Sequence, residues 1–181
     1  FNLYHDIDIA FGSFARKTKI RPLDDIDIMI GINGDGSTYY DSGYEVKIYV
    51  NDDNSPQKSC CNDNTNILNS TKVINKFIKE LKNLNDYKKA EETHKNGAAA
   101  TLQLKSYEWN FDIVPCFRTT KESDGRDYYL IPDGKGNWQK TDPRKDRDKV
   151  TTLNQKHNGL MLETIRLVKY WNRRPTMPLM P

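Results

Sequence analysis

Long hydrophobic runs are missing from this chain of 181 residues. No apolar stretch approaches the roughly 20 residues of a membrane-spanning helix, and no hydrophobic region of a signal peptide is visible. Only 36% of the residues are hydrophobic, while 29% are charged. That balance and length still allow one domain with a buried core, or a large part of a two-domain protein. These absences predict a cytoplasmic protein without a membrane partner. Because the chain opens on Phe1 rather than Met, we also expect that its natural N-terminus is missing.

Cysteine and histidine are scarce, with three residues of each. Cys60 and Cys61 are adjacent and Cys116 is distant, which makes a poor disulfide framework and lacks the spacing of zinc ligands. The three histidines are scattered and form no ligand pair or Ser-His-Asp arrangement. The stretch GINGDGST at 31–38 has the glycine spacing of a P-loop without its lysine. The sequence thus argues against disulfides, zinc and a P-loop.

Alternation of apolar and polar residues predicts an α+β fold with several strands adjacent in sequence. Two helices are indicated by apolar stripes at helical spacing, one from Ser70 to Leu84 and one at about 158–172. The strand at 44–50 should pair back on its neighbour as a hairpin, and Pro115 should close the last strand. We expect a mobile loop at 51–66 and a polar segment with turns at 119–149. The predicted strands are 3–11, 25–32, 44–50, 98–105 and 109–117.

The tripeptide Asp-Ile-Asp occurs twice, at Asp6/Asp8 and at Asp25/Asp27. On a strand, residues i and i+2 point to the same face, roughly 6.6 Å apart. Two carboxylates on one face repel each other unless a divalent cation lies between them, and oxygen ligands suit Mg²⁺ or Mn²⁺. Asp112 is a third carboxylate, in a strand that otherwise looks buried. The alternative is that these aspartates are solvated strand ends or turn caps.

A Gly-Ser pair follows the first predicted strand, where a short helical pattern begins. The backbone N–H groups and the hydroxyl of Gly12 and Ser13 would then face one point. That geometry receives phosphate oxygens. An ordinary Gly-Ser turn is the alternative.

Together these residues resemble the nucleotidyltransferase superfamily that has a polymerase-β-like core. The stretches GSFARKTKIRPLDDIDIMI and TIRLVKYWNRR are similar to a narrower group. That group contains oligoadenylate synthetase, cyclic GMP-AMP synthase and the bacterial cyclic-oligonucleotide synthases of anti-phage systems. The residues that carry the resemblance are Gly12, Ser13, Arg16, Thr18, Asp25, Asp27 and Asp112.

The resemblance implies a role for each residue of the predicted site. Asp25 and Asp27 would hold two Mg²⁺ (or Mn²⁺) ions against the triphosphate of a donor nucleotide. Asp112 would complete the ion that activates the acceptor hydroxyl. Gly12 and Ser13 would grip the β- and γ-phosphates. The pair Asp6/Asp8 precedes the Gly-Ser turn, so we expect these two carboxylates to be solvent-facing residues of the first strand.

The resemblance assigns the last helix to the nucleotide as well. Lys169, and Arg166 one turn earlier, would reach the triphosphate, although a solvated Lys169 is the alternative. Arg16 could instead pair with a neighbouring Asp. The basic stretch PRKDRDK at 143–149 could bind an activating nucleic acid, but its interleaved aspartates favour a solvated loop.

The expected function is the metal-dependent, template-independent joining of NTPs (ATP, with GTP, UTP or CTP as further candidates) into a cyclic di- or trinucleotide of anti-phage signalling. Residues 1–150 would be the catalytic core and 151–181 the start of a truncated helical second lobe. An activating protein or nucleic acid is a candidate partner. The alternatives are a linear oligonucleotide product, nucleotide transfer to a protein or RNA, and an inactive nucleotide-binding regulatory domain.

Overall fold

A mixed β-sheet forms the body of the protein in the computed structural model, which describes residues 1–21, 25–83, 90–104 and 108–174. Within these ranges nine strands belong to one sheet. The strands are β1 (Ile9–Phe11), β2 (Asp25–Gly31), β3 (Thr38–Asp41), β4 (Val46–Tyr49), β5 (Ala90–Asn96), β6 (Ala99–Leu104), β7 (Asn110–Arg118), β8 (Tyr129–Pro132) and β9 (Trp138–Thr141).

Helices cover parts of this sheet and confirm the α+β class that the sequence predicts. Two short 3-10 helices, His5–Ile7 and Lys58–Cys60, complete the regular structure of the described residues. Leu84, the last member of the apolar stripe predicted to begin at Ser70, lies outside the described residues. The α-helices are α1 (Gly12–Ala15), α2 (Ser70–Asn83), α3 (Pro143–Lys156) and α4 (Leu160–Asn172).

Strand β7 is the centre of the sheet. One of its edges pairs in parallel with β2 along the whole length of β2. The other edge pairs antiparallel with β6 in its first half and with β8 in its second half. All other pairings described are antiparallel. The parallel β2–β7 pair brings two stretches that are far apart in sequence into direct register.

The prediction that Pro115 closes its strand is wrong, because β7 continues to Arg118. The N–H of Ile32 donates to the carbonyl of Cys116 at 2.8 Å, so Pro115, the neighbour of Cys116, turns its nitrogen toward the opposite edge. At that edge β6 pairs with β7 only as far as Ile113, and the pairing of β7 with β8 begins at Phe117. The missing N–H of Pro115 therefore falls in the gap between two ladders, where no strand needs it.

The hairpin predicted for 44–50 is present, but β4 forms it with β3 and not with the predicted strand at 25–32. The other edge of β4 pairs with β9. Strand β3 was not predicted, and the β8–β9 hairpin lies in the segment 119–149, which the sequence pattern assigned to polar turns. These three strands have four residues each, which is too short for alternation to stand out from the polar surroundings.

The segment 51–66, predicted to be a mobile loop, is packed against the core. Gln57 is fully buried, and its side-chain amide donates to the carbonyl of Asn33 at 2.5 Å. Cys60 and Cys61 belong to the same core cluster as Trp138, whose indole N–H donates to the carbonyl of Leu68 at 2.9 Å. Burial of these side chains and the satisfied polar groups fix a segment whose composition is typical of a loop.

The stretch 143–149 is the first half of helix α3, not a loop. Asp142 is the N-cap, since its carboxylate accepts the N–H of Arg144 at 3.2 Å, and Pro143 occupies the first helical position. Both are signals of a helix start. The alternating charges of this stretch lie on an exposed face, which is why they resembled a solvated loop.

Candidate active site

The parallel register of β2 and β7 brings three carboxylates together. Asp25 and Asp27 lie on one face of β2, and Asp112 of β7 is the direct partner of Asp27. One carboxylate oxygen from each lies within 4.8 Å of the other two. The structure thus unites the three aspartates that the sequence suggested, although Asp112 is distant in the chain.

The electrostatics of this cluster are unfavourable without a cation. Burial raises the pKa of Asp27 above its ordinary value, and the neighbouring carboxylates of Asp25 and Asp112 raise this pKa further. Lys19 and Arg16 lower the pKa of Asp27 but do not outweigh these effects. A site in which negative charge is concentrated and partly desolvated favours binding of a positive ion.

Two neighbouring side chains orient the carboxylates. The ammonium of Lys19 pairs with Asp25. The hydroxyl of Thr101, which faces Asp112 across the β6–β7 ladder, donates to the Asp112 carboxylate at 2.5 Å. Both contacts restrict the carboxylate rotamers, as groups behind metal ligands commonly do.

Gly12 lies directly against the cluster. Its φ is +68°, and a Cβ added there would lie 1.8 Å from Oδ2 of Asp27 and 2.6 Å from its Cγ. The backbone conformation and the lack of space both require glycine. The Gly-Ser turn and the acidic cluster therefore form one site, because Phe11 pairs with Asp27 in the β1–β2 ladder.

The segment after Ser13 is held by backbone contacts. Thr18 is buried, and its N–H donates to the carbonyl of Ser13 at 2.9 Å. Two guanidinium nitrogens of Arg166 donate to the carbonyl of Lys17 at 3.0 and 2.6 Å. These contacts dock helix α4 onto the Gly-Ser turn, and they direct Arg166 to the backbone of this turn.

A cationic cleft adjoins the acidic cluster. Its volume is about 240 Å³, and its lining includes Ser13, Lys19, Lys169 and Arg173. Burial lowers the pKa of Lys169, and the nearby charges of Arg16, Lys19 and Arg173 lower this pKa further. Positive side chains gathered in a partly buried cleft are typical of a phosphate site. The ammonium of Lys169 also lies 3.4 Å from the Thr18 hydroxyl, so Lys169 is partly buried in this cleft, and its contact with a nucleotide stays a prediction.

The other Asp-Ile-Asp tripeptide has no part in this cluster. Asp6 lies in the first 3-10 helix and is exposed. Asp8 pairs with His5 and accepts the N–H of Gly31 at 2.7 Å. Both face solvent as expected, but they precede β1 rather than lying on it. Asp8 therefore supports the end of β2.

Sequence reasoning missed Lys19, Thr101 and Arg173. Arg173 follows Lys169 by four residues, so helical spacing could have placed both on one face. The register Thr101↔Asp112 and the path of the loop that carries Lys19 leave no mark in the sequence. No pattern could have found these two.

The donor set fits a divalent cation. Three carboxylates supply hard oxygen ligands, and two cations held about 4 Å apart by such a set are the arrangement used for displacement at phosphorus. Gly12 lacks the Cβ that would collide with the Asp27 carboxylate. The adjoining cleft, which contains Lys169, supplies positive charge. The residues that would hold metal and those that would hold phosphate are adjacent.

The fold is similar to those of two solved bacterial proteins. CdnC of E. coli MS115-1, determined with ATP, superposes with a TM-score of 0.60 and 18% identity over 99% of this chain and 48% of its own. CdnE of Elizabethkingia meningoseptica, a cyclic dinucleotide synthase determined with GTP and Apcpp, has a TM-score of 0.58 and 15% identity over 94% of this chain and 52% of its own. The chain therefore has the fold of these two proteins, and the fold class agrees with what the resemblance implied.

A comparison of sequences finds a relative with higher sequence identity than these two structures have. A probable cyclic nucleotide synthase of Bacillus cereus is 48% identical over 164 residues, which are 91% of this chain and 49% of that protein. The chain thus spans about half the length of the relative, and no protein-family model matches it. These findings confirm the predicted resemblance to cyclic-oligonucleotide synthases. Within the described residues no helix has the length and apolar character to cross a membrane.

Proposed function

We propose that this protein is a metal-dependent, template-independent nucleotidyltransferase that joins NTPs into a cyclic di- or trinucleotide. The observation that carries the proposal is the meeting of Asp25, Asp27 and Asp112 beside Gly12 and a cationic cleft. The relative named as a probable cyclic nucleotide synthase supports the cyclic product.

Asp25, Asp27 and Asp112 would hold two Mg²⁺ or Mn²⁺ ions. The ions would supply charge that stabilises the attacking and leaving oxygens of an in-line displacement. The parallel strands fix where these carboxylates stand, so that the site is organised before a substrate arrives. Thr101 keeps the Asp112 carboxylate in place through its hydrogen bond.

Asp112 is proposed to act on the acceptor side. A ribose hydroxyl oxygen attacks the α-phosphorus of the donor, a new P–O bond forms, and the bond from that phosphorus to the β-phosphate oxygen breaks. Pyrophosphate leaves with the electron pair of that bond. The hydroxyl proton departs to solvent or to a carboxylate, and the negative charge of Asp112 favours this loss.

The triphosphate would lie along the Gly-Ser turn and the adjoining cleft. Gly12 and Ser13 would contact the β- and γ-phosphates, and Lys169 would pair with them from helix α4. We expect Arg166 to act on the triphosphate indirectly. Its guanidinium donates to the carbonyl of Lys17 and so holds the turn in place. The substrates we propose are ATP and further NTPs.

In the cell we propose a cytoplasmic enzyme whose product is a second messenger of anti-phage defence. An activating protein or nucleic acid would switch it on. The basis is the similarity to cyclic-oligonucleotide synthases, the bacterial group in which such signalling is expected. Residues 1–150 would be the catalytic core and 151–181 the beginning of a helical lobe.

The test is an incubation of the full-length protein with the four labelled NTPs and Mg²⁺ or Mn²⁺. The products are treated with phosphatase and separated by chromatography. A cyclic product resists phosphatase because it has no terminal phosphate, and its label identifies the bases. The doubly substituted Asp25→Asn/Asp27→Asn protein is the control and should form none.

Other outcomes would replace the proposal with its alternatives. A product that loses phosphate would indicate linear oligonucleotide synthesis. Label on a protein or an RNA end would indicate transfer to a macromolecule. NTP binding without turnover, under every activator tried, would indicate an inactive regulatory domain.

A further inference from the structure

The side chain of Lys19 stands between the acidic cluster and the cationic cleft. Its ammonium pairs with the carboxylate of Asp25, and the same side chain lines the cleft together with Ser13 and Lys169. Only 10% of the side chain is exposed. Lys19 therefore touches the two regions that the proposed function assigns to metal and to phosphate.

The backbone on the N-terminal side of Lys19 is held by two contacts, and we expect a change at Lys19 to come from its side chain. Thr18 is tied to Ser13 through its N–H, and Lys17 is held by Arg166. A lysine has four rotatable side-chain bonds and a compact charge that can exchange partners without moving the chain. Rotation of the Lys19 stem within the cleft is enough to move its ammonium away from Asp25.

The position of the ammonium matters because of the charges around it. Oxygens of the three aspartates lie within 4.8 Å of one another, and Lys19 supplies positive charge where a divalent cation would supply more. An ammonium paired with Asp25 repels a divalent cation that approaches the same carboxylate. Lys169 and Arg173 leave the cleft rich in positive charge, to which an anionic triphosphate is the complementary ligand.

We propose that Lys19 is the internal counter-ion of the metal site. In the metal-free protein it neutralises Asp25, and on metal binding it turns into the cleft and pairs with the triphosphate. This inference rests on the proposed function for the identity of the two ligands. Lys19 is then a positioning residue that couples metal binding to nucleotide binding, because each ligand favours the same rotation of its side chain.

The test measures Mn²⁺ binding alone, without nucleotide, by electron paramagnetic resonance of free Mn²⁺. Full-length protein is compared with Lys19→Met, which keeps a long apolar stem and removes the competing charge. We expect Lys19→Met to bind Mn²⁺ about tenfold more tightly, within the usual range of coupling between sites. Lys17→Met, an exposed neighbour, is the matched control and should stay within about twofold. Lys19→Gln serves if Lys19→Met does not fold.

A purely structural Lys19 would give a different result. Its loss would lower the thermal midpoint equally with and without Mn²⁺, and would leave Mn²⁺ affinity unchanged or weaker. That outcome would overturn the inference. We expect instead a larger Mn²⁺-induced rise in the midpoint for Lys19→Met than for the unsubstituted protein, and affinity restored toward the original by Lys19→Arg.

The readout is independent of turnover. A protein that forms no product, yet binds Mn²⁺ more tightly after Lys19→Met, would refute the proposed function and sustain the inference. An active enzyme whose Mn²⁺ affinity does not respond to Lys19→Met would support the proposed function and refute the inference about Lys19.

Discussion

Replacement of Gly12 by alanine tests the close approach of Gly12 to the Asp27 carboxylate. The added Cβ would lie 1.8 Å from Oδ2 of Asp27, whereas Cβ atoms essentially never approach other atoms within 3.0 Å. Either the Asp27 carboxylate or the Gly-Ser turn must therefore move until this distance reaches 3.0 Å. A displacement of about 1 Å in a catalytic constellation costs on the order of 100-fold in rate, and we expect that loss.

The same substitution also has a cost in folding. The φ of Gly12 is +68°, and a left-handed conformation costs an alanine roughly 1–2 kcal/mol. A comparison must therefore separate loss of activity from loss of fold. Gly36 offers the matched control, since its φ is +74° and nothing lies within 4 Å of the position that an added Cβ would take.

The assay is pyrophosphate release from NTPs by full-length protein with Mg²⁺, together with thermal unfolding of each variant. Gly36→Ala should lose about 1 kcal/mol of stability and keep its activity. Gly12→Ala should lose at least as much stability and about 100-fold in rate. Equal activity of the two variants would refute the claim that Gly12 makes room for the Asp27 carboxylate.

Three further results are expected. Asp27→Asn should abolish activity yet unfold at a higher temperature than the original protein in EDTA at neutral pH. The fold raises the pKa of Asp27 above its ordinary value of 3.8. At a pH above the raised pKa, the ionised Asp27 carboxylate therefore destabilises the folded protein, and asparagine removes this cost. The higher unfolding temperature of Asp27→Asn should disappear as the pH falls to 3.8. Thr101→Val should reduce turnover about tenfold by freeing Asp112, with little change in the NTP concentration at half-maximal rate. Burial raises the pKa of Cys116 to about 12, so iodoacetamide at pH 8 should alkylate it only after unfolding, as peptide mass spectrometry would show.

The acidic cluster could be predicted from the sequence because strand periodicity is local information. Asp25 and Asp27 alternate with isoleucines, so their common face follows from the chain itself. Asp112 stood out as a carboxylate in an apolar strand. The direct pairing of Asp112 with Asp27 depends on a parallel register, which no local pattern specifies. The chain alone left open whether the two strands are neighbours, and the resemblance to a family implied that their carboxylates share one site.

The parts that could not be predicted depend on tertiary contacts. The short strands β8 and β9 are stabilised by pairing with each other and by the burial of Trp138. The segment 51–66 has the composition of a loop and is fixed by buried Gln57. Helix α3 carried a capping signal at Asp142 and Pro143 that the charged residues after it obscured. Propensity is a weak guide wherever packing decides.

The two Asp-Ile-Asp tripeptides allow the most direct test of the central claim, that the carboxylates of β2 form a catalytic metal site. Asp6→Asn and Asp25→Asn change the first member of the same tripeptide in the same way. The measurement is pyrophosphate release from NTPs with Mg²⁺ or Mn²⁺ by the full-length variants. We expect Asp6→Asn to remain within about twofold of the original rate and Asp25→Asn to fall by at least about 100-fold. Equal rates for the two variants would contradict the account.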